Sequence, residues 1–341
     1  MSNGISIALF SYNGSGVLDP TLQSLSKIII PNDLPSEFIL LNNGSTDSTL
    51  DKFNNFKKRN SAETTIISTT QSGIAEARWD LIKSAKYDII FFVEDDNIIE
   101  PLLPYTSWLL FDKNPKIFAV GCNTLLPIGK SKPQDFKVVE SAFAIGKQDN
   151  NATNDVTTNR GFAWGAGLSV RKNRCLELYN SGVRQVCNGR LKGNDAELCY
   201  MLKEYGGKIF INNNHLLYHN IKTERFSKTT VFKTVFQNTY SEFYLLPYHK
   251  QLSPSICDKS ALKYYIRKNL LSSILELLQI RWLISLLFKF FREMSYSDIY
   301  LLAIRCGNVY GLLTCLKHVK ESIANIDIIR SAKNTRLNDY T

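Results

Sequence analysis

Four apolar runs in the first hundred residues each end in a cluster of polar residues, and this alternation constrains the fold more than any other feature of the chain. ISIALFSYN (Ile5 to Asn13), FILL (Phe38 to Leu41), TTIIST (Thr64 to Thr69) and YDIIFFVEDD (Tyr87 to Asp96) read as strands. Their near-continuous apolar character suits strands buried on both faces rather than on one. Between them lie helical segments at Leu18 to Lys27, from about Asp47 onward, and at Gly73 to Ala85, the second signalled by Ser45 and Thr46 just ahead of Asp47. Strands alternating with helices predict a mostly parallel, doubly wound α/β sheet, which binds ligands beyond the carboxyl ends of its strands. The polar clusters SYNGSG, NNGSTD and VEDDN all fall at those ends. They should therefore meet in space.

The pattern changes from about Phe118. IFAVGCNTLL reads as another strand, residues 129–160 are polar, and GFAWGAGLSVRK is a glycine-containing turn entering a strand. NDAELCYMLKEYG is a helix closed by Gly206, and KIFIN is a strand. Beyond Arg225 the chain is mainly helical, dividing it into an α/β region at 1–225 and a helical region at 226–341. The stretch Lys263 to Met294 is the most hydrophobic, but Glu276, Gln279, Arg281, Lys289 and Arg292 interrupt it. That favours amphipathic helices, packed on the domain or lying on a membrane surface, over a span of ~20 apolar residues.

The 341 residues carry a net charge of +10, which favours anionic partners. Seven scattered cysteines without a CxxC pair point to reduced thiols in a cytosol rather than to a disulfide or zinc framework. The N-terminus enters a strand almost at once, without the basic and small-residue signature of a secretory signal. No basic strip interleaved with aromatics supports nucleic acid as a partner.

Glu94, Asp95 and Asp96 repel one another, so at this strand tip either the cluster is a solvated turn or something positive sits there. Carboxylates there can hold Mg²⁺ or Mn²⁺, which commonly bridges substrate phosphates. The succession ISIALFSYNG, LLNNGSTDST, SGIAEAR, FFVEDDN, WGAGLSVRK, GNDAELCYMLKEYG and LLYHNI resembles the family 2 glycosyltransferases of GT-A fold across residues 4–225. The resemblance implies a nucleotide-sugar-binding half at 1–100 and an acceptor and catalytic half at 101–225. It makes Asp96 the metal-binding aspartate, with Asp95 contacting the ribose or assisting the metal through water. It places Ser11 and Tyr12 against the nucleobase and its ribose, and Arg78 against the base or the diphosphate.

Asn42 stands where relatives carry an aspartate that accepts the uracil N3–H, a bond that an amide oxygen can also accept. Trp79 follows Arg78 where relatives usually have Asn. Relatives carry Glu-Asp at the start of the later helix with the aspartate as general base. The pair here is Asn194-Asp195, which keeps Asp195 in that position. His219 would complete the metal site from the opposite side of the sheet, while His215 is structural. Gly165, Ala166 and Gly167 would let the backbone approach a sugar, and Trp164 could stack on its face.

The resemblance implies a metal-dependent, inverting glycosyltransferase. Its donor would be a nucleotide diphosphate sugar, a UDP-sugar first, and its acceptor a glycan or lipid-linked hydroxyl. Cell-surface polysaccharide or glycolipid synthesis is the expected setting, in the cytoplasm or peripherally on the cytoplasmic face of a membrane. Two rivals follow from the same residues. A nucleotidyltransferase is disfavoured because SYNGSGVLDP lacks Lys and Arg, and a non-catalytic binder would treat Asn42 and Asn194 as marks of a decayed site.

Overall fold

The computed structural model describes residues 4–70, 73–148, 154–188, 191–249, 294–314 and 316–338. The stretch 263–294 expected to form amphipathic helices lies, but for Met294, outside the described residues. The first half follows the alternation read from the sequence. Strand β1 (Ile5–Ser11), helix α1 (Leu18–Leu25), β2 (Ser36–Asn43), α2 (Thr49–Arg59), β3 (Thr64–Thr69), α3 (Ile74–Ser84) and β4 (Ile89–Glu94) succeed one another. β1 pairs in parallel with β2 and β4, and β2 with β3.

Every residue of β1 is buried, because helices cover both faces. Ile5, Ile7, Leu9, Phe38, Leu40, Phe91 and Val93 face Leu18, Leu22 and Phe53. Ala8, Phe10, Ile39, Leu41, Ile90 and Phe92 face the opposite cluster, with Leu81 and Ile82 of α3. The period-two division of a strand thus feeds two apolar layers, and neither face is left polar.

After Glu94 the chain turns through Asp95 and Asp96 into a short strand β5 (Asn97–Ile99), which the sequence did not announce. Helix α4 (Leu103–Lys113), β6 (Ile117–Leu125), a 3₁₀ helix at Gln134–Phe143, β7 (Ser169–Arg171), α5 (Lys172–Asn180) and α6 (Asn194–Glu204) follow. The KIFIN strand is longer than its apolar letters suggest. As β8 it runs Lys208–His219, and its pairing with β6 jumps from Cys122–Asn212 to Asn123–Leu216. The irregularity lets a polar NNH segment sit inside a strand without breaking its apolar pairing. The complete sheet has the order β3-β2-β1-β4-β7-β6-β8-β5, with β7 antiparallel to both neighbours and β5 antiparallel to β8.

Among the described residues, helices α7 (Lys228–His249), α8 (Tyr296–Thr314) and α9 (Leu316–Asn338) follow. Two of them share the sheet's core: Leu245 and Tyr248 of α7 and Ile326 and Ile329 of α9 belong to the same buried cluster as Phe92 and Leu198. Gly307 and Gly311 of α8 lie where a Cβ would come within 2.8 Å of Thr239 and 2.3 Å of Phe243, so α7 and α8 approach closely along this seam. Among the described residues no single helix is long and apolar enough to cross a membrane.

Candidate functional site

The first two polar clusters are knitted into one rim. Asn13 adopts a left-handed φ of 50°, which Asn tolerates better than most residues. Its N–H donates to Ser45 Oγ (3.0 Å) and its Oδ1 accepts from Thr46 N–H (2.8 Å). Asp47 accepts from the N–H groups of Ser15 and Thr49 and from the Thr49 hydroxyl. Burial alone would raise this carboxyl, but those hydrogen bonds outweigh it and hold it well below the usual carboxylate range. The duty also explains why α2 begins at Thr49 and not at Asp47.

Tyr12 is 45% exposed on this rim, open to a stacking partner. Ser11 is buried and donates to Asp95 Oδ2 at 2.6 Å. Asn42 is buried too, and its carboxamide oxygen already accepts from Ser45 N–H at 3.1 Å. A Cβ on Gly14 would lie 2.1 Å from Ser11 Oγ and 2.2 Å from Asp95 Oδ2, so glycine is obligatory for the rim to close over the acid.

The acidic cluster lies beside it. The β5–β8 ladder sets Asn97 opposite His219, which brings the imidazole to the turn between β4 and β5. His219 Nε2 stands 3.3 Å from Asp96 Oδ2. His219 Nδ1 lies 3.0 Å from the carbonyl of Phe143. A carbonyl only accepts, so Nδ1 carries a proton, and Nε2, which can donate to the Asp96 carboxylate when protonated, is the ring atom open to a cation when it is not. Glu94, Asp96 and His219 each offer a ligand atom within 4.8 Å of the others. Two carboxylates and one oriented imidazole suit a divalent cation such as Mn²⁺.

The charges of the group act on one another. Burial and the Asp96 carboxylate push Glu94 up despite Arg78 nearby. Burial also pushes Asp95 up, against the Ser11 hydroxyl. Burial would raise Asp96 as well, but His219 and Arg225 hold it down. Burial would lower His219, and Asp96 and Glu94 outweigh it.

The histidine pair is not a shared metal site. His215 sits apart, with Nδ1 3.2 Å from Glu100, consistent with a structural place for it. Nothing in the sequence shows which way Glu94 faces, whereas the cluster with Asp96 and His219 depends on that direction.

Asp195 opens a second centre, at the start of α6. Its Oδ2 accepts the Gly165 N–H at 2.6 Å. Gly165 has no room for a side chain: a Cβ would lie 3.0 Å from Arg78 Nη2, 3.1 Å from Glu94 Oε1 and 3.4 Å from Asp195 Oδ2. One glycine therefore lets three charged side chains converge. Arg78 is 1% exposed, not a surface arginine. It donates to Asn194 Oδ1 and stands 3.9 Å from Glu94. Asn194 thus has a task here that its departure from the family pattern did not suggest. Trp79 packs on Tyr179 in the core, with ring centroids 5.2 Å apart.

These residues border a cleft of about 640 Å³. Arg78, Glu94, Trp164, Gly165, Asp195 and His219 line it on the sheet side, while Asn238, Thr239 and Glu242 of α7 and Tyr300 and Asn308 of α8 close it opposite. Ser11, Tyr12, Asn42, Asp95 and Asp96 lie outside that lining, on the rim side of the acids. Gly167 stands apart from both. Its φ of +70° and the closeness of Cys122, Leu217 and Phe91 show that it serves sheet packing, which corrects the expectation that it borders a sugar.

The mostly parallel sheet, with an acidic turn after β4, has the GT-A architecture. Residues 6–150 match the model of glycosyl transferase family 2. The poly-beta-1,6-N-acetyl-D-glucosamine synthase of Staphylococcus epidermidis (strain RP62A) is 31% identical over 143 residues, which are 42% of this chain and 34% of that protein. The synthase of Staphylococcus aureus (strain MSSA476) is 29% identical over 143 residues, with the same coverage. The alignment thus spans about a third of the length of these relatives.

Two solved structures share the fold across nearly the whole chain. The S. aureus TarS 1-349 structure superposes with a TM-score of 0.50 at 13% identity, covering 98% of this chain and 92% of that one. The mannosyltransferase PcManGT from Pyrobaculum calidifontis, solved with GDP-Man and Mn2+, gives 0.52 at 11% identity, covering 98% and 78%.

Proposed function

We propose that the chain moves a sugar from a nucleotide diphosphate sugar to an acceptor hydroxyl, with inversion, in the synthesis of a cell-surface glycan. The observation that carries this reading is the convergence on Gly165. A carboxylate held by a backbone N–H faces a cleft lined also by Glu94 and His219, whose shared cluster with Asp96 lies at its edge. The family assignment of residues 6–150 supports the donor half. The likeness to synthases of an N-acetylglucosamine polymer makes UDP-N-acetylglucosamine the first donor to try.

On this reading Asp96 and His219, with Glu94, would hold a divalent cation, which when bound neutralises the diphosphate as it departs. Tyr12 offers its exposed ring to the base, and Ser11 fixes Asp95 beneath it. Arg78, anchored by Asn194, sets one positive charge between the rim and the cleft. Asp195 Oδ2 is occupied by the Gly165 N–H, so Oδ1 is the oxygen left for an incoming hydroxyl. As the hydroxyl oxygen bonds to the anomeric carbon, its proton passes to Asp195 and the bond to the diphosphate breaks on the opposite face. Trp164 and the α7–α8 wall keep water from the same position.

Asp195→Asn keeps the hydrogen-bond geometry but cannot take the proton. Its kcat should fall by about 10²–10⁴, while donor affinity, measured by titration with Mn²⁺ present, changes little. Near-normal turnover in this variant would remove Asp195 from the role. Metal-dependent hydrolysis across a panel of nucleotide sugars reads the donor independently of any acceptor.

A further inference from the structure

Two cations in the cleft remain after the others have found carboxylates. Arg78 stands 3.9 Å from Glu94, and Arg225 stands 3.7 Å from Asp96. Arg160 and Lys192 line the same cleft, yet neither has an ion-pair partner among the described residues. The Arg160 guanidinium lies 4.1 Å from the Phe162 ring centroid and 4.7 Å from that of Trp164. Its Nε is buried without a hydrogen-bond partner.

Two aromatic faces therefore hold a planar fork in position and leave its N–H edge unspent. A fork fixed in this way loses little further freedom when it binds a carboxylate or phosphate bidentately. Burial disfavours the charged form of both residues. A guanidinium whose buried Nε has no acceptor is costly to keep charged unless an anion completes it.

Arg160 is set apart from the diphosphate end, whereas Lys192 feels charges of both ends. Lys222 acts on Asp95 and Arg225 on Asp96, whereas Arg160 feels Asp195. Lys192, just before α6, feels Glu94 and Asp195 but is opposed by Arg225 and Lys233. The acid facing them from α7 is Glu242, whose carboxyl burial raises, weakening its claim on either cation.

We propose that the sugar ring bound against Asp195 carries an anionic substituent, a carboxylate or a phosphate, which Arg160 and Lys192 recognise. The inference rests on the transferase reading and deepens it: the substrate class is an acidic sugar rather than a neutral one. Its source is either the acceptor ring or a uronate on the donor.

The test is titration calorimetry on the full chain, with and without UDP and Mn²⁺. The probes are methyl glucuronide and glucose 6-phosphate against methyl glucoside, and UDP-glucuronate against UDP-glucose. Charge-assisted hydrogen bonds predict that the anionic member of at least one set binds about tenfold tighter or more. A preference in the free sugars assigns the anion to the acceptor, and one confined to the UDP-sugars assigns it to the donor.

Lys192→Gln, at an exposed position, should reduce the preference several-fold without lowering the melting temperature. Arg160→Lys, which keeps the charge but not the fork, should reduce it too. Equal binding of charged and neutral rings by the wild type, no binding of either, or a preference that survives both substitutions overturns the proposal. Failure to bind UDP, with the anion preference intact, defeats the transferase reading alone.

Discussion

Gly165 shows what a single residue decides here. Its missing Cβ lets Arg78, Glu94 and Asp195 come within 3.0–3.4 Å of one point. A methyl group there has no backbone strain to overcome, since only the side chains must yield. Gly165→Ala should therefore cost about 1–3 kcal/mol of stability at most, but displace Asp195 and Arg78 by a few tenths of an ångström or more. Misplacement on the ångström scale can cost about 10²-fold in rate, so kcat should fall about 10–100-fold with little change in the melting curve. A variant that unfolds easily but turns over normally when folded would show that Gly165 serves packing instead.

The contrast with neighbouring residues explains what the sequence could reveal. Asp96 and His219 were legible through the resemblance to the family, although the β5–β8 ladder that brings them together was not announced by the sequence. Arg160 and Lys192 lie in irregular segments where no periodicity fixes direction, and Glu94 depends on one rotamer at a strand end. Such residues become visible only once the cleft is formed.

At the scale of elements, α6 depends on a buried acid. Glu197 accepts the N–H groups of Val186 (2.9 Å) and Cys187 (2.7 Å), pinning the segment after α5 against the first turn of α6 that holds Asp195. Burial outweighs these bonds and pushes the carboxyl up to about 7. Because this lies above the ordinary 4.5, the folded state binds more protons than the unfolded chain between the two values. Stability from this group is therefore greatest below about pH 4.5, declines as pH rises to about 7, and is level beyond, a change of about 3 kcal/mol overall.

Glu197→Gln removes the titration and leaves one N–H without an acceptor. The difference in urea stability between wild type and variant, measured from pH 4.5 to 8, should shrink as pH rises. A difference that is flat with pH would exclude Glu197 as the titrating group. The helix itself was legible from NDAELCYMLKEYG, whereas the role of Glu197 was not. A Glu one turn into a helix looks like a solvated or dipole-favoured acid, and only the packed loop above it removes the water.

At the scale of the molecule, the order of the chain suggests a sheet region and a helical region, but the apolar core does not divide near residue 225. Leu245, Tyr248, Ile326 and Ile329 are buried with the sheet's own residues, and α7 and α8 form the far wall of the cleft. The sequence marks the region beyond Arg225 as mainly helical without saying which surface its apolar sides meet, so the shared core could not be read ahead of the fold. Burying each of those four side chains contributes about 1.5–3 kcal/mol, on the order of 6–12 kcal/mol together. A domain's whole stability is about 5–15 kcal/mol. Removing the helices therefore takes away an amount comparable to everything that holds the sheet region folded. A fragment ending at residue 226 should aggregate or lose its cooperative transition, whereas the full chain should give one transition that coincides by circular dichroism and tryptophan fluorescence. A soluble 1–226 fragment that melts cooperatively within a few degrees of the full chain would show that the sheet region folds alone. The helices would then act only as a wall for the cleft, and the fragment should still bind nucleotide while losing acceptor affinity.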